Sequence, residues 1–341
     1  FTSLFDSHVV TSSRHFHDSH VVTIVTSSRH FPDSHVVTSS RHFMKFLRQP
    51  SPYLLLSLAS LFWAANWVVG RAMRNDIPPV AMGFWRWSLA LLILLPFAAP
   101  ELKRKWHVVR ANWRTLTLLG CLGAIVFNTL IYVGLQYTAA TNGVLFNSIS
   151  PILIILLSWM LFRERISKLQ AAGVIMSLAG VVAIVARGNL ASLAAFHFNR
   201  GDLWLITAML LWAVYTIVLR RRPAELSAIA FLTSMLLLSL PFLLPVYLWE
   251  LGARGGFALT PATTAALAYY ATLPSIVAYL FWNRGVAQAG PNKAGLFVHL
   301  MPLFGAVLSV IFLGERLYGY HYAGAALIFG GLWLTTRRVR P

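Results

Sequence analysis

A succession of apolar stretches, each about the length of a bilayer crossing, constrains this chain more than any other feature. A hydrocarbon core near 30 Å takes about 20 residues of helix to cross. From Met44 onward such stretches fall at 53–72, 79–98, 115–136, 139–162, 169–186, 203–219, 227–249, 262–283, 293–313 and 319–336. Turn and cap signals separate them. Pro78-Pro79 opens the second, Ser167-Lys168-Leu169-Gln170 has the spacing of a capping box ahead of the fifth, Pro261 opens the eighth, and Pro291 precedes the ninth. The stretches use nearly the whole chain beyond Met44 and leave no room for a soluble domain. Composition agrees: 57% of the residues are hydrophobic and 11% are charged, against about 25% charged in soluble domains. The expected fold class is an all-α integral membrane protein with ten transmembrane helices.

The chain has 28 Lys and Arg against 10 Asp and Glu, a net charge of +18. Such a balance can mark nucleic-acid binding, but here the basic residues lie between apolar runs, where they set membrane orientation. The expected partner is therefore the lipid bilayer and not nucleic acid. If the side before the first stretch is cytoplasmic, eighteen Lys and Arg fall in inner segments and six in outer ones. The positive-inside rule then places both termini in the cytoplasm. The single cysteine, Cys121, excludes a disulfide framework, a zinc cluster and a CxxC redox pair.

Residues 1–43 read differently. One phrase recurs three times: DSHVVTSSRHF at 6–16 and 33–43, and DSHVVTIVTSSRHF at 18–31. Seven of the eleven histidines lie there. A metal-binding tract is one reading, but a His-x6-His spacing suits no compact ligand set, so no metal is expected. The segment is expected to stand apart from the native fold, with Met44 as a natural start. The three Asp and three Arg of the tail cancel, so the rest of the chain carries the whole +18.

The two halves repeat. At a shift of 151 residues the fourth and fifth stretches fall on the ninth and tenth, aligning Phe146 with Phe297, Pro151 with Pro302, Ser158 with Ser309, Glu164 with Glu315, Arg165 with Arg316, Gly173 with Gly324 and Gly180 with Gly331. At a shift of 149 the first meets the sixth, aligning Trp63 with Trp212 and Ala64 with Ala213. The expected domains are 44–200, with five spans, and 201–341, with five more. An odd number per unit makes the second unit enter the membrane upside down. Inverted repeats place a site near the midplane, between the halves, and suit alternating access.

On these residues the chain resembles a known family. LFWAANWVVGRAM at 61–73, PPVAMGFWRW at 78–87, LQYTAATNGVLFNSISPILIILLSWMLFRERIS at 135–167 and GPNKAGLFVHLMPLFGAVLSVIFLGER at 290–316 resemble the EamA branch of the drug/metabolite transporter superfamily. The resemblance covers nearly everything after Met44. It implies ten helices, a central cavity and, most often, export of amino acids or other small metabolites. It implies a small-molecule substrate and no cofactor. The expected function is a secondary transporter of the cell inner membrane, with a homodimer left open.

Several residues are candidates for substrate contact. Arg86 is the ionisable residue deepest inside a span. It reads either as a cation facing a substrate carboxylate or phosphate, or as a side chain snorkelling to the outer interface. His299, three residues before Pro302, reads as a cavity ligand or proton carrier, or as a neutral histidine bonded between helices. Asn66, Asn128, Asn142 and Asn147 put amides in or beside the first, third and fourth spans, where interhelical bonding is the default role. Asn66 follows Trp63 by three residues, so the two share a face. Trp63 and its repeat mate Trp212 sit too deep for the interfacial aromatic belt. Tyr132, Tyr279 and Trp282 are weaker candidates. Pro151 and Pro302 are the expected hinges, because each frees backbone carbonyls one turn earlier. Glu164 and Glu315 would lie on opposite membrane faces, with local pairing to Arg165 and Arg316 expected. Gly173, Ser177 and Gly180, with Gly324 and Gly331, read as close helix packing.

No Asp or Glu falls in the middle of a span, so a buried carboxylate relay is not expected. There is no Walker A sequence, HExxH, GxSxG or acidic cluster, so neither ATP drive by this chain nor an intramembrane enzyme is expected. The remaining alternative is a receptor or scaffold, for which an inverted repeat has no explanation.

Overall fold

The structure is a computed structural model that describes residues 50–138, 140–189, 198–313 and 316–337. The repeated tail, Glu315, Arg338 and Arg340 lie outside the described residues, as do the side chains of Arg71 and Asn142. Helices joined by short connections make up the described residues, with no strand among them. In chain order the helices are α1 (Pro52–Ala72), α2 (Pro79–Arg104), α3 (Trp106–Ala111), α4 (Trp113–Gly120), α5 (Val126–Tyr137), α6 (Ala140–Asn147), α7 (Ser150–Phe162), α8 (Lys168–Val185), α9 (Arg200–Val218), α10 (Ala228–Arg254), α11 (Pro261–Thr272), α12 (Ala278–Ala289), α13 (Pro291–Gly295), α14 (Leu300–Leu313) and α15 (Gly319–Thr336). Among the described residues, seven helical stretches are long and apolar enough to cross a membrane. They are Pro79–Arg104, Trp113–Tyr137, Gly143–Phe162, Lys168–Val185, Arg200–Arg221, Ala228–Arg254 and Pro261–Ala289.

The helix starts follow the sequence signals. Ser167 and Gln170 form the expected reciprocal box at α8: the Ser167 hydroxyl accepts from the Gln170 amide at 3.1 Å, and Gln170 Oε1 accepts from the Ser167 amide at 2.8 Å. Proline opens α1, α2, α11 and α13, where its missing N–H would be unpaired in any case.

Four of the expected spans are not single α-helices. α4 and α5 join through a π-helical turn, Cys121–Ile125, and α11 and α12 through another, Leu273–Val277. The fourth span breaks at Ser148 and Ile149, between α6 and α7. The ninth tightens into a 3₁₀ turn, Leu296–His299, between α13 and α14. Pro151 and Pro302 stand just after these breaks, in the first turns of α7 and α14, so each proline begins a helical segment instead of bending the middle of one. Breaks and π turns release carbonyls from the helical ladder, and all four lie beside the site described below.

Two repeat-related pairs pack antiparallel. Glu250, near the end of α10, accepts from the amides of Val80 at 3.2 Å and Ala81 at 2.7 Å, at the start of α2. At the other end of the same pair, Glu101 of α2 accepts from the amide of Ser227, the N-cap of α10, at 3.0 Å. Each helix thus caps the other with a carboxylate near its own C-terminal end, satisfying amides that the first turn leaves unpaired. In the α8 and α15 pair, Gly180 faces Gly324 and Gly173 faces Gly331. A Cβ added at Gly180 would lie 2.6 Å from the Gly324 carbonyl oxygen, and one at Gly324 would lie 2.8 Å from that of Gly180. This is the expected close packing, made possible by the missing side chains.

Candidate functional site

The π turn in the α11–α12 stretch exposes the carbonyl of Pro274, which accepts from Trp63 Nε1 at 3.0 Å and Arg86 Nη2 at 3.2 Å. The π turn in the α4–α5 stretch exposes Ala124, whose carbonyl accepts from Trp87 Nε1 at 3.0 Å and Asn128 Nδ2 at 2.9 Å, and Gly123, which accepts from the Tyr279 hydroxyl. Local backbone irregularity in each half of the chain thus anchors the side chains at the centre.

Those side chains surround a cavity of about 30 Å³ lined by Trp63, Asn66, Phe127, Asn128, Ile131, Asn147, Trp212, Tyr279, Val298 and Met301. That is room for about two water molecules. The rings of Trp63 and Trp212 meet edge to face at 5.1 Å, and Tyr279 and Trp282 pack on Trp63 at 5.6 and 5.3 Å. Asn147 Nδ2 donates to Met301 Sδ at 3.2 Å, across the two broken spans. The cavity is narrow, and a molecule the size of an amino acid enters only if its walls part.

Arg86 does not line the cavity and does not snorkel. It is 1% exposed and stands one layer behind the wall. Its Nε donates to Ser275 Oγ at 2.5 Å, and its Nη1 to Tyr132 OH at 2.8 Å, Asn128 Oδ1 at 2.9 Å and, more distantly, Asn66 Oδ1 at 3.4 Å. The guanidinium also lies over the rings of Trp87, at 4.9 Å, and Tyr270, at 5.5 Å. All of these partners are neutral, so dipoles solvate the charge without cancelling it. In a medium of low dielectric the positive potential reaches the cavity wall. By taking the carbonyl oxygens of Asn66 and Asn128, Arg86 also fixes which way those amides face.

His299 is fully buried and also stands behind the wall. Its Nε2 lies 2.9 Å from the Ser148 carbonyl and its Nδ1 2.7 Å from Ser177 Oγ. It holds the fourth-span break against α8, which matches the reading of a histidine bonded between helices.

Of the residues singled out in the sequence, Trp63, Asn66, Asn128, Asn147, Trp212 and Tyr279 thus meet at one cavity, while Arg86 and His299 brace it. Sequence reasoning missed Ser275, a lone hydroxyl in an apolar run, and the lining contribution of Phe127, Ile131 and Met301. Glu164 needs a correction. It pairs not with Arg165 but with Arg220, at 2.5 and 2.6 Å to the two carboxylate oxygens, because both side chains end helices on the same side of the bundle. Arg220 holds the Glu164 carboxyl below the usual carboxylate range, against the opposing effect of partial burial, with Ser158 and Asn292 adding hydrogen bonds.

A larger cleft of about 580 Å³ lies elsewhere, on α2, α10 and α11, between Trp85, Leu89, Tyr247, Phe257 and Leu267. Its walls are almost wholly apolar, and it holds none of the residues singled out in the sequence.

Comparison with known proteins gives the same reading over the whole described chain. The model of the EamA-like transporter family matches residues 50–186 and again 199–337. An uncharacterized transporter of Archaeoglobus fulgidus is 29% identical over 84% of this chain and 97% of its own. The uncharacterized transporter YyaM of Bacillus subtilis is 26% identical over 84% of this chain and 94% of its own. A probable amino-acid metabolite efflux pump of Salmonella typhimurium is 26% identical over 82% of this chain and 93% of its own. A solved crystal structure, 20% identical, has the same fold, with a TM-score of 0.68 over 83% of this chain and 95% of that one. With two family matches in tandem that together span nearly all the described residues, this chain belongs to the EamA-like transporter family.

Proposed function

We propose that the chain is a ten-helix carrier of the inner membrane, with both termini cytoplasmic, that exports amino acids or similar small metabolites by alternating access. The observation that carries this reading is the narrow cavity shared by the two repeats. Its walls come from α1, α5 and α6 of the first family match and from α9, α12, the 3₁₀ turn and α14 of the second. A site shared by two repeats opens to one side or the other when the repeats tilt. Counting the broken and shorter helical stretches as spans gives ten, and the antiparallel α2–α10 and α8–α15 pairs support an inverted second repeat.

The cargo class follows from the wall chemistry. Neutral amides and aromatic faces suit a small polar molecule with an apolar portion. The uncancelled charge of Arg86 favours a carboxylate and disfavours a bare cation. An amino acid meets both conditions, and the name of the Salmonella typhimurium relative points the same way.

The test is counterflow of labelled amino acids in proteoliposomes holding the full chain. Saturable exchange above that of protein-free vesicles is expected. No exchange with any amino acid, alongside exchange of another metabolite class, would overturn the cargo assignment.

A further inference from the structure

From the cavity toward the face that carries Arg163, Arg165, Lys168 and Arg220, helices α7 and α9 close on each other in three layers. Next to the cavity, Ser150 Oγ donates to Met209 Sδ at 3.2 Å. Below it, Ile154 packs with Ala213 and Ile217, all three fully buried. At the end, Glu164 receives two bonds from Arg220. Met209, Ala213 and Ile217 of α9 and Arg220 of the 3₁₀ turn that continues it, Leu219–Arg221, are spaced by four, four and three, so they form one stripe on one face.

The last layer is more than a surface ion pair. Ser158 Oγ donates to Glu164 Oε2 at 2.9 Å, and Asn292 Nδ2 reaches the same oxygen at 3.3 Å. Asn292 belongs to α13, and Gly295 of that helix leaves the space into which Ile154 projects; a Cβ there would lie 2.9 Å from Ile154 Cδ1. Glu164 from the first repeat therefore ties together two helices of the second. Arg163 makes this possible. Its left-handed backbone, with φ of 57°, ends α7 and turns the chain so that Glu164 reaches back.

We infer that the Glu164–Arg220–Asn292 clasp, with the Ile154–Ala213–Ile217 plug above it, is the gate that seals the cavity from the basic face. Opening toward that face parts α7 from α9 and α13 and breaks the clasp. The layers above it are apolar or weakly bonded and part without leaving a charge behind. The clasp is the one layer with directional strength, a two-pronged guanidinium–carboxylate contact. Its partial exposure keeps it weak enough to break in each cycle. The inference rests on the alternating-access reading above.

The experiment reads access to the cavity without needing the cargo. In the full chain with Cys121→Ser, Val298→Cys places a reporter on the cavity wall. Sealed vesicles of each orientation receive a membrane-impermeant maleimide, and a separate Arg222→Cys variant identifies the side that carries the clasp. Glu164→Gln or Arg220→Glu should speed labelling from that side by about three- to five-fold, the range expected for loss of one partly exposed ion pair. Exchanging the charges, Glu164→Arg with Arg220→Glu, should bring the rate back toward that of the parent, which ties the effect of the single variants to the lost pairing. Unchanged labelling in the single variants, faster labelling from the opposite side only, or acceleration that the exchange does not reverse would each overturn the gate. Counterflow in the same vesicles tests the carrier reading separately. Flux with unchanged labelling defeats the gate alone, while gated labelling with no flux of any cargo defeats the carrier reading alone.

Discussion

His299 Nε2 lies 2.9 Å from the carbonyl oxygen of Ser148, and these two residues occupy the same position in the two repeats, 151 apart. The ninth-span break thus contacts the fourth-span break through equivalent positions, as expected where a pseudo-two-fold axis passes between two half-broken helices. The histidine also meets Ser177 of α8, so one ring joins three segments of the bundle.

Replacing His299 with Ala should leave the Ser148 carbonyl without this partner in a buried site, while the Ser177 hydroxyl keeps its bond to the Val174 carbonyl at 3.1 Å. Each buried polar group left unpaired costs about 1–3 kcal/mol. The expected result is a lowered melting temperature in detergent, with His299→Gln falling between the Ala variant and the parent. An unchanged melting temperature for His299→Ala would show that the ring does not brace the break.

Gly180→Ala should destabilise the α8–α15 pair. The added methyl group meets the Gly324 carbonyl at 2.6 Å, and backbone cannot move aside as a side chain can, so the overpacking should cost about 1–3 kcal/mol. Gly305→Ala is the control, because nothing lies within 4 Å of a Cβ there. Thermal unfolding of the two variants in parallel checks this, and equal melting temperatures would contradict the close packing.

The reciprocal caps predict additivity. Glu250→Ala frees two amides of α2, and Glu101→Ala frees one of α10. Losing a helix cap typically costs about 1 kcal/mol. The two sites lie at opposite ends of the pair, so the double variant should lose the sum of the single losses. A double variant no less stable than either single would show that the two caps do not act separately.

Glu164 predicts a pH dependence with a definite sign. Its carboxyl titrates below its ordinary value of 4.5 because Arg220 binds the ionised form. The stabilisation is therefore fully present above about pH 4.5 and is lost as pH falls through the lowered value of the folded state. The Glu164 side chain is 39% exposed, so the effect is small and screened by salt. The melting temperature of the parent should fall slightly more than that of Glu164→Gln between neutral pH and pH 4. Parallel profiles would contradict the ion pair.

Much of this arrangement is legible in the sequence because the bilayer reduces the problem to one dimension. Apolar length gives spans, and the 149- and 151-residue shifts give partners, so Trp63 and Trp212 can be matched by counting along the chain. Depth within the bundle is not legible in the same way. Arg86 has a fixed place along its helix, but only packing shows that Asn66 and Asn128 stand between it and the cavity. The Glu164–Arg220 pair is hidden because Arg165 is adjacent in sequence while Arg220 is 56 residues away. A signal for it exists nevertheless, since the distribution of Lys and Arg puts both residues at ends of helices on one face. The π turns at Cys121–Ile125 and Leu273–Val277 have no comparable signature, although Pro274 marks the second.

The central claim is that the cavity shared by the two repeats is the transport site. The most direct measurement is amino-acid counterflow in proteoliposomes with Asn66→Ala and Trp212→Ala, against Trp249→Ala, whose side chain is 72% exposed on the outside of the bundle. Saturable flux in the parent and in Trp249→Ala, with flux lost or KM raised at least about ten-fold in the two cavity variants, is the expected result, a loss equivalent to about 1.4 kcal/mol of contact. Flux in the cavity variants equal to that of the parent, with KM unchanged, would contradict it and place the transport path elsewhere in the bundle.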